Sequence, residues 1–84
     1  MRHASPSALD MVEPLLAELR TLPGLTERTR GVFYRKGRAF LHFHEDPAGL
    51  FADLRDAEGS DFDRVDVTHG EGREMLLTAV RDRL

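Results

Sequence analysis

The side chains best suited to chemistry lie in the segment His42-Phe43-His44-Glu45-Asp46. Successive side chains of a β-strand point to opposite faces, so His42 and His44 would share one face. Imidazoles placed in this way can bind one transition-metal ion, with Asp53 and His69 as candidate further ligands. His42 paired with Asp53 could instead act in acid–base chemistry. The simpler interpretation is that both are hydrogen-bonded sheet histidines beside Phe40 and Phe51.

A second candidate site is a cluster of cations around a predicted hairpin. The nucleic-acid candidates in it are Arg30, Arg35, Lys36 and Arg38, with Arg28 nearby. Cations interleaved with aromatic residues are typical of a hairpin that contacts phosphates and stacks bases. The competing interpretation is a solvated turn whose charges discourage edge-to-edge aggregation. The formal net charge of −3 favours this second interpretation, because nucleic-acid binding draws on a surplus of positive charge.

A third candidate is an aromatic surface on the predicted sheet. Residue parity assigns four phenylalanines to one face, and these are the predicted interface residues: Phe33, Phe40, Phe51 and Phe62. The same face carries the ligand-binding candidates His42, His44, Asp53 and Arg64, together with Asp66. A patch of this size is expected to be buried against a partner. Packing between two copies is the simplest solution, and a small-molecule pocket at the edge of the face is an alternative.

These residues must be positioned by four strand-like segments, at residues 30–35, 38–44, 50–54 and 62–68. Lys36-Gly37 is typical of a two-residue hairpin turn, which would place Val32 opposite Leu41 and Phe33 opposite Phe40. The remaining connections are short. They predict an antiparallel meander, because a parallel crossover needs a dozen or more residues.

Two helices flank the predicted strands. Leucines at helical spacing predict the first over residues 8–21, capped by Ser7, with Pro14 either kinking the helix or starting it. Thr68 with Glu71 is typical of a capping box that begins the last helix. We therefore predict an α+β fold: a four-stranded, mainly antiparallel sheet with an N-terminal and a C-terminal helix packed on its Val32/Leu41 face.

Length and composition limit the functional classes. We expect a flexible tail at residues 1–6 and a single α+β domain at residues 7–84. The chain has no cysteine, which excludes disulfides, thiolate zinc sites and cysteine nucleophiles. We find no signal peptide and no apolar run of about 20 residues, so we expect a cytoplasmic protein with no membrane partner. We predict no cofactor.

The order of residues in the strand pairs also resembles a known family. The stretch from Arg30 to Asp46, followed by Leu50–Leu54 and a terminal strand and helix, is similar to small bacterial proteins of uncharacterised function. More remotely it resembles the MmcQ/YjbR-like domains, in which a strand pair with a "gly-lys-x-phe" turn precedes a return strand and a closing helix. Lys36-Gly37-Arg38-Ala39-Phe40 approximates that turn. The resemblance, over residues 28–84, implies an α+β fold. DNA binding attributed to some relatives would implicate Arg35, Lys36 and Arg38.

The sequence thus favours a non-enzymatic, homodimeric interaction module that uses the phenylalanine face. One alternative is binding of nucleic acid or a phosphate ligand through the hairpin Arg30–Arg38. Another is a His-based or metal-dependent enzyme at His42 and His44. No phosphate loop, nucleophile elbow or dinucleotide-binding glycine motif is present in the sequence.

Overall fold

The computed structural model describes residues 2–84, which form an α+β fold with an antiparallel sheet. Six strands and three helices are present in this range. In chain order they are β1 (Arg2–His3), α1 (Pro6–Met11), α2 (Glu13–Arg20), β2 (Thr26–Thr29), β3 (Val32–Arg35), β4 (Arg38–Asp46), β5 (Gly49–Arg55), β6 (Phe62–Asp66) and α3 (Gly70–Arg83).

The sheet is an antiparallel meander in the order β2-β3-β4-β5-β6, and the short β1 pairs with the far end of β4. The prediction of four strands is therefore wrong in number. Strand β2 has the sequence Thr-Glu-Arg-Thr, and without apolar residues it shows no alternation. Strand β1 lies in the predicted tail, where Arg2 and His3 pair with Glu45 and His44. Met1, also assigned to the tail, lies outside the described residues.

The hairpin turn at Lys36-Gly37 is confirmed. Both residues have positive φ, 53° and 79°, and Arg35 pairs with Arg38 across the turn. Positive φ at both central positions is the geometry of a type I′ turn, whose twist matches that of the flanking strands.

The predicted register beyond this turn is wrong because β4 contains a bulge. Tyr34 pairs with Ala39, but the next residue of β3, Phe33, pairs with Leu41. Phe40 is the extra residue on β4. A bulge of this kind sets two residues of one strand against one of its partner, and it shifts the pairing beyond it by one position.

The shift moves two phenylalanines into the core. Phe33 and Phe40 are only 1% and 5% exposed, and they belong to one hydrophobic cluster with Leu41 and Phe43. Buried residues of all three helices join the same cluster, including Leu16 and Leu76. Val32, Tyr34 and Ala39, which parity had assigned to the apolar face, are instead only partly buried.

The predicted N-terminal helix is two helices. Val12 separates α1 from α2. Pro14 lies in the first turn of α2, where a backbone N–H would have no acceptor within the helix, so proline removes no hydrogen bond there. The cap of α1 is Ser5, not Ser7: the Ser5 hydroxyl accepts a hydrogen bond from the Ala8 amide. Pro6 and Pro14 lie in the first turns of α1 and α2 and help to set where these two helices begin.

The C-terminal helix begins two residues later than the predicted cap. His69 precedes the first helical residue, while the Thr68 hydroxyl accepts a hydrogen bond from the Leu50 amide at 3.0 Å. Thr68 thus joins the end of β6 to the start of β5. None of the three helices in residues 2–84 combines the length and the apolar character needed to cross a bilayer.

The bulge can be tested by comparing two phenylalanines. We expect Phe33→Ala to lower the free energy of unfolding by about 3–5 kcal/mol, because it leaves a cavity in the core. Phe51→Ala should cost about 1–2 kcal/mol, because Phe51 is only partly buried on the other face. Urea unfolding measures both values. An equal or smaller loss for Phe33→Ala would contradict the bulged register.

Candidate functional site

The face of the sheet opposite the core cluster carries the histidines, and we call it the histidine face. Strand pairing sets one row of four side chains across it: Val32, His42, Asp53 and Arg64. The next row contains His44, Phe51 and Asp66. Because β4 and β5 pair without irregularity from Leu41 to Asp46, the two histidines and Asp53 are neighbours across one strand pair.

Three of these side chains converge on one small volume. His42 Nδ1 lies 2.6 Å from His44 Nε2, and His44 Nε2 lies 3.3 Å from Asp53 Oδ2. The three atoms lie within 4.8 Å of one another, close enough to hold one metal ion. Asp53 is almost fully buried and both histidines are partly buried. The structure therefore brings together both predicted metal ligands and the carboxylate considered as a third.

Arg64 fixes the carboxylate of this group. Its Nε and Nη2 donate to the two Asp53 oxygens at 2.9 and 3.1 Å, a bidentate pair from the neighbouring strand. These hydrogen bonds hold the pKa of Asp53 below its usual value. Asp53 is therefore anionic at neutral pH, and Oδ2 keeps a lone pair for a further partner.

The environment of His42 favours its neutral form. Burial lowers the pKa of His42, and the neighbouring His44 lowers it further. The His42 ring also contacts the Phe62 ring, with centroids 4.8 Å apart. His44 Nδ1 is buried and has no hydrogen-bond partner within the described residues. If His44 Nε2 carries the proton, it donates mainly to His42 Nδ1, the nearer of its two acceptors, with Asp53 Oδ2 the more distant one.

Two further residues border the cluster. His3 of β1 lies beside His44, with ring centroids 6.4 Å apart. The Arg55 guanidinium stacks on the Phe62 ring at 4.6 Å. Sequence reasoning missed both neighbours, because β1 is too short to show alternation and a cation–aromatic contact depends on the exact pairing of β5 with β6. His69, the other candidate ligand, precedes α3 and is not part of the cluster.

The predicted phenylalanine interface is wrong at two of its four positions. Phe33 and Phe40 lie in the core, so they are not exposed to a partner. Phe51 and Phe62 do lie on the histidine face, where both are partly exposed. The aromatic surface on which the homodimer prediction rests is therefore about half as large as expected, and the homodimer stays a prediction.

The hairpin cations do not act as one group. Arg30 binds the helical carboxylates of Asp10 and Glu13 at 2.9 and 2.7 Å, so it is committed to the junction between the helices and the sheet. Arg35, Lys36 and Arg38 instead border a cavity at the turn. Arg28 lies over the Tyr34 ring at 4.1 Å.

Comparisons with protein families, with curated proteins and with solved structures found no match to this chain. The resemblance to the MmcQ/YjbR-like domains stays a prediction, and the function must be argued from the site itself.

The lowered pKa of His42 predicts a pH dependence of stability. The unfolded chain protonates His42 near its ordinary pKa of about 6.5, and the folded protein does so only at lower pH. The folded state should therefore lose stability as pH falls from about 7.5 through this range. The charged and titratable groups around His42 are His3, His44, Asp53, Arg55 and Arg64.

Urea unfolding of the wild type and of His42→Asn, with EDTA present, measures this effect. We expect the wild type to lose more stability than the variant on acidification, because only the wild type carries this titrating group. Parallel pH profiles would contradict a lowered pKa for His42 in the folded state.

Proposed function

We propose that this protein binds a divalent transition-metal ion through His42, His44 and Asp53 on the histidine face. The observation that supports this proposal is the convergence of three ligand atoms from two adjacent strands within 4.8 Å. Two imidazoles and one carboxylate are a common ligand set for zinc and neighbouring metals.

One of the distances between the ligand atoms already matches a tetrahedral ion, and the others would adjust on binding. With zinc–ligand bonds of about 2.0–2.2 Å, two ligand atoms on one tetrahedral ion lie about 3.3–3.6 Å apart. The separation of His44 Nε2 from Asp53 Oδ2 is already 3.3 Å. His42 Nδ1 and His44 Nε2, now 2.6 Å apart, would have to separate by at least about 0.7 Å.

The surroundings also suit a metal ligand set. Arg64 orients Asp53 from outside, as the outer partners of metal-bound carboxylates do. We also propose that the helices cover only the core face, since their buried residues join the cluster around Leu41 and Phe43. The histidine face would then be accessible, and three protein ligands would leave a fourth position for water or a small ligand.

Calorimetric titration tests the proposal, with untagged protein that has been freed of metal by EDTA and dialysed. We expect one Zn²⁺ per chain. His42→Ala and His44→Ala should each weaken the affinity by about tenfold or more, since even an outer-partner mutation causes losses of this size. His69→Ala is the matched control, because it removes a histidine outside the cluster.

Thermal unfolding provides a second measurement. A Zn²⁺ concentration about 100 times the dissociation constant should stabilise the folded state by about 2.7 kcal/mol and raise the midpoint by about 10 °C or more. Absence of binding would refute the proposal, and so would an affinity that falls equally in the cluster variants and in His69→Ala.

The predicted homodimer remains a second candidate, since Phe51 and Phe62 are partly exposed on the same face. Sedimentation equilibrium of the metal-free wild type and of Phe51→Asp tests it. We expect a dimer for the wild type and a monomer for the variant, because a carboxylate would be buried in the interface. A wild-type monomer would exclude this candidate and leave the metal proposal intact.

A further inference from the structure

A cavity of about 340 Å³ lies at the hairpin end of the sheet, away from the metal ligands. Ligand pockets for small molecules begin at about this size. The cavity is formed by the β3–β4 turn, the loop that follows β5 and the last turn of α3. These segments are distant in the sequence, so the folded structure creates the cavity.

Positive charge dominates its lining, although the chain as a whole carries a net charge of −3. Five cations and three carboxylates line the cavity. The cations are Arg35, Lys36, Arg38, Arg55 and Arg83. Of the carboxylates, Asp56 already accepts hydrogen bonds from the amide and the hydroxyl of Ser60, so its charge is partly satisfied within its own loop.

Three of the arginines are held in place by the protein. Arg38 and Arg55 both donate to the carbonyl oxygen of Gly59, at 2.9 and 3.1 Å. Arg83 donates to the Ala79 carbonyl and to Asp63, while its buried Nε has no acceptor within the described residues. Guanidinium groups fixed in this way lose little conformational freedom when they bind an anion.

The β3–β4 turn contains a lysine, Lys36, at a position whose positive φ is unfavourable for this residue type. Lys36 is the only residue other than glycine with positive φ in residues 2–84, and it occupies a position where asparagine or glycine is preferred. It is also the only lysine in the sequence. Backbone strain of this kind persists at functional sites more often than elsewhere. A cation at this position suits a turn that must present positive charge to a ligand.

We propose that this cavity binds a small organic phosphate, a phosphomonoester whose phosphate lies among Arg35, Lys36 and Arg38. Ala39 and Ala57 line the same cavity and offer a small apolar surface to the rest of the ligand. The small volume of the cavity favours a small molecule over a nucleic-acid strand, which needs an extended groove.

The Lys36 amine can be isotope-labelled and used as a probe of ligand binding. Reductive methylation with ¹³C-formaldehyde labels its amine and keeps the positive charge, and the single lysine gives one side-chain signal. We would follow that signal by NMR during titration with adenosine monophosphate, inorganic phosphate, oligothymidylate, and potassium chloride at matched ionic strength. EDTA is present throughout, so the result does not depend on the proposed metal site. We expect saturable shifts with the monophosphate and weaker binding of inorganic phosphate.

A variant pair tests the assignment to this cavity, with the backbone amide of Gly59 as the reporter. Lys36→Asn should weaken the monophosphate affinity about three- to tenfold, because it removes one charge-assisted hydrogen bond. Its urea midpoint should stay the same or rise, since asparagine tolerates this turn conformation. Arg81→Gln, an exposed arginine outside the cavity, removes the same charge and should leave the affinity within about twofold of wild type.

Three outcomes would overturn the proposal. Shifts no larger than those caused by potassium chloride would exclude a phosphate site. An equal loss of affinity in Lys36→Asn and Arg81→Gln would show that the ligand responds to the overall charge of the protein and not to this cavity. Saturable shifts with oligothymidylate but not with the monophosphate would replace it with nucleic-acid binding.

Discussion

The single extra residue at Phe40 determines which side chains of the first hairpin join the core. Without the bulge, the two-residue turn at Lys36-Gly37 would place Phe33 and Phe40 on the same face as the histidines. With the bulge, both rings join the core, and Val32 pairs with His42 instead. The burial of two phenylalanine rings, in place of Val32, Tyr34 and Ala39, helps to offset the interrupted ladder.

Much of the fold could be predicted from local chemistry. The positive-φ turn at Lys36-Gly37 and the antiparallel connectivity follow from residue type and loop length. The bulge could not be predicted, because alternation over a few residues fits either register when both faces are apolar. Strand β2 lacks an apolar pattern altogether. It pairs through its backbone, and Glu27 accepts from Gly31 within its own hairpin.

The candidate metal site could likewise be predicted only in part. Alternate spacing places His42 and His44 on one face of β4, and that relation is independent of the bulge because both residues lie beyond it. Their approach to Asp53 depends on the β4–β5 pairing, which the tight connection between Asp46 and Gly49 sets. The bidentate contact of Arg64 requires the next strand as well. Each added strand needs another correct register, so sequence reasoning becomes weaker with distance from β4.

Strand β5 contributes residues to both proposed sites. At one position, the carboxylate of Asp53 lies beside imidazoles whose surroundings favour the neutral form of His42, an environment that attracts a cation. Two residues further along, Arg55 turns away to bond the Gly59 carbonyl at the cationic cavity. The Phe62 ring lies between them, in contact with the His42 ring on one side and the Arg55 guanidinium on the other. The two proposed sites therefore differ in charge: one combines a carboxylate with imidazoles, and the other is lined mainly by cations.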